Sequence, residues 1–98
     1  MTREVSLLVN GQPIALDYFV QGFVDHTICG MLVGLEGVGT IKRVEVSIEG
    51  TDVTVSLNNA QLTINPFVSK IIRNTTIGMV SSLKGVDKPD SVAVVIQR

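Results

Sequence analysis

A chain of 98 residues, 45% apolar and 17% charged, is sized for one globular domain and is too hydrophobic for a disordered segment. With 8 basic and 9 acidic side chains, a net charge of −1 and no basic cluster, it lacks the concentrated positive face of a nucleic-acid binder. Cys29 is alone, which excludes an intrachain disulfide or a cysteine metal cage. No signal-peptide core or bilayer-length apolar run stands out, so a cytoplasmic protein without membrane contact is expected.

Glu4–Val9 alternates as a strand, with Val5, Leu7 and Val9 on one side. Asn10-Gly11 supplies the positive φ angles of a tight turn, and 13–16 is expected to return as a short edge strand because Pro13 cannot donate to a ladder. Asp17 is placed to cap a first helix and Gly37 to end it. The span 40–49 reads as a third strand. The link from Ile48 to Val53 is too short for a parallel crossover and predicts an antiparallel hairpin.

The plan then recurs. Val53, Val55 and Leu57 alternate, Asn58-Asn59 turns, and 61–64 returns. Asn65 caps a second helix that begins with Pro66 and is stopped by Gly85, and Ser91–Gln97 closes the unit. Sliding the chain along itself by 48 positions pairs residues 5–50 with 53–98, and 13 of the 46 pairs are identical. Unrelated segments of ordinary composition would match at roughly 3. The identities include Asn10/Asn58, Phe19/Phe67, Thr27/Thr75, Gly30/Gly78 and Met31/Met79. A tandem duplication of a β-β-α-β unit is therefore expected. It predicts a single α+β domain over 1–98, a two-layer sandwich of about six mostly antiparallel strands with both helices on one face. In duplication alone this plan resembles folds whose two similar halves share one sheet, the TATA-binding saddle among them, without the basic, aromatic underside that reads DNA.

Helical periodicity places Phe67, Val68, Ile71, Ile72, Thr75, Met79 and Leu83 of the second helix, and Phe19, Val20, Phe23, Val24, Thr27, Met31 and Leu35 of the first, on the inward half. Ile28, Leu32 and Val33 then fall on the outer face of the first helix, where an apolar surface asks for a covering partner. These three are the expected self-association interface. A mid-helix glycine costs about 1 kcal/mol relative to alanine, so Gly30 and Gly78 at matched positions predict a close approach of another backbone or of a ligand. Thr27, Gly30, Thr75 and Gly78 are accordingly the expected ligand-binding positions. The sheet face turned away from the helices, with Ser6, Leu8, Glu45, Ser47, Thr54, Ser56, Ala93 and Val95, is the other surface a partner could cover.

No catalytic motif is present. His26 and Asp25, adjacent on a helix, point about 100° apart and form no dyad. Cys29 has no basic sequence neighbour to lower its pKa, and no metal-ligand spacing occurs. The expectation is a non-enzymatic, self-associating interaction or assembly module with no cofactor. The alternative is a small-molecule-binding protein with a pocket between helices and sheet.

Overall fold

A computed structural model describes residues 3–35 and 39–98. The elements are β1 (Glu4–Val9), β2 (Gln12–Pro13), α1 (Tyr18–Val33), β3 (Arg43–Glu49), β4 (Asp52–Leu57), β5 (Ala60–Gln61), α2 (Pro66–Ser81) and β6 (Ser91–Gln97). They form an α+β fold with one six-stranded sheet in the order β2-β1-β6-β3-β4-β5, every neighbouring pair antiparallel. Each element of the second half starts 48 positions after its counterpart in the first. Exchanging β1 with β4, β2 with β5 and β3 with β6 simply reverses the strand order, so the sheet has an internal near-twofold relation. Its centre is the pair Val46 opposite Val94.

The register puts Leu7, Val9, Val44, Val46, Ile48, Val55, Leu57, Val92, Val94 and Ile96 on one sheet face, all buried. Both helices pack on that face. Burying these β-branched and branched aliphatic chains, at about 25 cal/mol per Å² of apolar surface, is the main stabilising contribution.

Local chemistry sets the corners. The side chains of Asp17 and Asn65 accept from the amides of Val20 and Val68, each at 2.8 Å, which satisfies one of the free donors of each first turn. Asn10 and Asn58 sit in the left-handed region at φ 51° and 52°. The Asn58 carboxamide oxygen accepts from the amides of Lys42 and Arg43, at 2.8 and 3.0 Å. That of Asn10 accepts from Asp90 and Ser91 at the same two distances. One asparagine per half thus holds the segment that leads into the strand completing the other half's sheet.

The returning strands are shorter than 13–16 and 61–64 suggest: two residues each, because Ile14 and Leu62 already turn inward after single ladder bonds to Leu7 and Val55. The third strand begins at Arg43 rather than residue 40. Helix α1 ends at Val33 with Gly34 as its cap in right-handed geometry, and Gly37 lies outside the described residues. Gly85 does adopt a positive φ of 87°, but four residues beyond the end of α2, whose cap is Ser82.

The larger correction concerns helix rotation. The buried line on α1 is Val24, Ile28 and Leu32, with Asp25 and Cys29 beside it, and on α2 it is Ile72, Thr76 and Val80. Val24 and Ile72 belong to the expected inward half, but the buried lines are centred one residue on from Phe19/Phe23 and Phe67/Ile71, about 100° around the helix axis. Helix α1 is apolar on nearly every side, so its period does not choose between the two faces. Compact Val, Ile and Leu side chains fit the Val-rich sheet, and the bulky rings are left outside. Ile28 and Leu32 are therefore core residues, each 1% exposed, and do not form an outer interface; only Val33 of that expected trio is exposed.

Candidate functional site

Two features stand out on the helical layer. The first is a buried carboxylate. Asp25, in the middle of α1, has a side chain only 2% exposed and collects four donors. Arg3 Nε lies 2.6 Å from Oδ2. Arg98 contacts Oδ1 through Nε at 3.1 Å and Nη2 at 2.9 Å. The Cys29 thiol, one turn on, donates to the same oxygen at 3.1 Å. The two arginines flank the sheet pair Glu4–Gln97, so the β1–β6 register delivers both to one point above the sheet edge.

Burial raises the Asp25 pKa, but the Cys29 and Arg98 hydrogen bonds and the two guanidinium charges outweigh it, so the carboxyl is held below its ordinary value. The same surroundings act oppositely on Cys29. Burial, the hydrogen bond to Asp25 and the charge of Asp25 push its thiol up to about 12. A thiol that stays protonated is neither a nucleophile nor a metal ligand at neutral pH.

The second feature is an exposed apolar face. Phe19 and Phe67 are 75% and 71% exposed, at matched positions of the two helices, and Phe23 and Ile71 repeat this one turn later. The Phe19 and Phe23 rings are tilted with centroids 6.3 Å apart. On the α2 side of these rings, a cleft of about 300 Å³ is lined by Phe19, Val20, Phe23, Val24, Met79, Ser82 and Leu83, so the first half of α1 faces the end of α2. On the opposite flank lies a more open cavity of about 660 Å³, lined by Arg3, Tyr18, Phe19, Gly22, Phe23, His26 and Thr27.

The residues expected to bind a ligand are only partly gathered. Thr27 is half-buried and lines the larger cavity, whereas Gly30, Thr75 and Gly78 line neither cavity. Gly30 and Gly78 are exposed, and a Cβ at either would meet nothing within 4 Å, so neither marks a close approach within the chain. His26 is exposed at the cavity rim, not a core residue. Thr76 is fully buried, and its hydroxyl has no partner among the described residues.

Sequence reasoning missed the Asp25–Arg3–Arg98 cluster, although one signal pointed to it. Under the 48-residue shift these positions pair with Arg73, Thr51 and Gly50, all chemically unlike. Among the described residues, no three His, Cys, Asp or Glu side chains converge in a way that could hold a metal ion, and no helix is long and apolar enough to cross a membrane. Compared with known proteins, the chain matches no family model, no curated protein and no solved structure.

Proposed function

We propose that the chain is a non-enzymatic assembly module that associates with a second copy of itself through the outer face of its two-helix layer. The observation that carries this reading is the exposure of Phe19, Phe23, Phe67 and Ile71 at matched positions on both helices. Single exposed apolar residues are ordinary, but paired large apolar residues exposed at matched positions on both helices of a small domain mark a contact surface. A face built from two near-equivalent stripes is also well suited to an isologous contact, in which each patch meets its own copy. The open sheet face is the weaker candidate. Arg43 bonds there to Glu45 and Gln97 at 2.7 and 2.9 Å, so one end of it is already a satisfied polar network. A cytoplasmic module that arose by tandem duplication of one β-β-α-β unit accounts for both the matched stripes and the strand order.

The test is solution mass by light scattering over a range of concentrations, for the native chain and for a Phe19→Glu, Phe67→Glu double variant. A dimer or larger species that dissociates in the variant supports the reading. A native chain that stays monomeric at every concentration sinks it. A second reading, a small apolar ligand, is favoured by the cleft between Phe19 and Phe23 of α1 and Met79 and Leu83 of α2. Extra mass retained in native mass spectrometry would favour that reading over self-association.

A further inference from the structure

The cavity on the free flank of α1 has a chemistry of its own. Among the described residues that line it, the fixed cation is Arg3, whose Nε is committed to Asp25 while Nη1 lies across Gly22, 3.2 Å from where a Cβ would stand. A guanidinium held this way presents its remaining N–H groups to the cavity without the ordering cost of a free arginine. Asp25 faces two arginines, so the cluster carries one surplus positive charge, and none of the described residues lining the cavity is acidic. Asp17, next to Tyr18, is turned back to the Val20 amide. Phe19 and Phe23 supply apolar walls, and Tyr18 and His26 stand at the rim.

The second half of the chain shows that the fold does without this arrangement. At a shift of 48 positions, Arg3, Tyr18, Gly22, Asp25, His26, Cys29 and Arg98 pair with Thr51, Pro66, Lys70, Arg73, Asn74, Ile77 and Gly50. In place of a buried ion cluster, Arg73 simply bonds the carbonyl of Gly50. Desolvating a carboxylate is unfavourable until its partners compensate. One half carries that cost and the other, in the same strand–helix frame, does not. The glycine that lets Arg3 lie over the helix is likewise a lysine in the other half.

We propose that the cavity lined by Arg3, Tyr18, Gly22, Phe23 and His26 binds a small organic carboxylate with an aromatic or alkyl body. The carboxylate pairs with the outward N–H groups of Arg3, the geometry for which a guanidinium fork is suited, and the body lies against Phe19 and Phe23. Asp25 is a positioning residue, acting through Arg3. The site needs no residue from a second copy, but it shares Phe19 and Phe23 with the proposed self-association face, so a bound second copy would compete with the ligand for that wall.

The experiment is a titration of isotope-labelled protein with sodium benzoate, followed by amide and His26 ring resonances, with benzyl alcohol as the neutral analogue. Light scattering in parallel records whether assembly changes, so a failure of self-association leaves the titration readable. The expected result is saturable shifts centred on residues 18–27, with Kd on the order of 1 mM or tighter. Benzyl alcohol, Arg3→Gln and Gly22→Leu should each weaken binding at least about tenfold. Gly22→Leu fills the cavity but also crowds Arg3 Nη1. Phe23→Ser, at a 57% exposed position, is therefore the third variant: it removes an apolar wall, should likewise weaken binding, and stays informative if the other two loosen the fold. Unsaturable shifts, equal affinity for benzyl alcohol, or undiminished binding in all three variants would overturn the proposal.

Discussion

The Nη2 of Arg98 stands 2.9 Å from Oδ1 of Asp25, joining the end of β6 to the middle of α1 across 73 positions of sequence. With Arg3 on the other oxygen, the contact ties both strands of the β1–β6 pair to the helix above them. Asp25→Ala should destabilise the fold by about 2 kcal/mol. That is less than the 3–5 of a fully buried pair, because Arg3 and Arg98 keep access to water and can resolvate.

The pH dependence follows from the same contact. The folded pKa of Asp25 lies below its ordinary 3.8, so its stabilising contribution is present above that value and is lost as pH falls through the folded pKa. Urea midpoints of the native chain and Asp25→Asn, measured from about pH 6 to about pH 2, should converge toward the acid end. A difference that stays constant with pH would show that the carboxyl is not held in its charged form.

Asn10 and Asn58 make the same set of bonds in the two halves. Replacing either by alanine removes these bonds and puts a strained residue at positive φ, so each should cost about 1–3 kcal/mol. In a domain of this size each kcal/mol is worth about 4–8 °C in Tm. Calorimetry of both variants should give similar losses. A Gly substitution should recover part of each, since it relieves the backbone strain without restoring the bonds.

Helix rotation can be read from two substitutions. Leu32→Ala opens a cavity beneath α1 and should lower stability by about 2–5 kcal/mol. Phe19→Ser, on the outer face, should leave monomer stability within about 0.5 kcal/mol. The reverse pattern in denaturant unfolding would place Phe19, not Leu32, in the core.

Gly30 and Gly78 are open positions within their helices. Gly30→Ala and Gly78→Ala should each stabilise the chain by about 0.5–1 kcal/mol, through helix propensity and a less flexible unfolded state. A stabilised variant that has lost self-association would place a partner backbone against that glycine. A destabilised one would mean that helix packing is tighter there than the open space indicates.

Much of the fold was legible in the chain because its signals are local. Alternation set β1 and β6 to the residue, Asp17 and Asn65 announced the helix starts, and the short link after Ile48 required a hairpin. The recurrence at 48 positions anticipated the spacing of the elements, although not the sheet order. Two things needed the tertiary structure. Helix α1 offers apolar side chains on opposite sides, so only fit against the valine-rich sheet decided that Ile28 and Leu32 go in while Phe19 and Phe23 stay out. The charged cluster is invisible locally because Arg3, Asp25 and Arg98 are far apart in sequence. They meet only because Glu4 pairs with Gln97 beneath α1. Periodicity and capping act within one turn of helix or one strand, whereas helix rotation and ion pairing depend on which surfaces the sheet brings together.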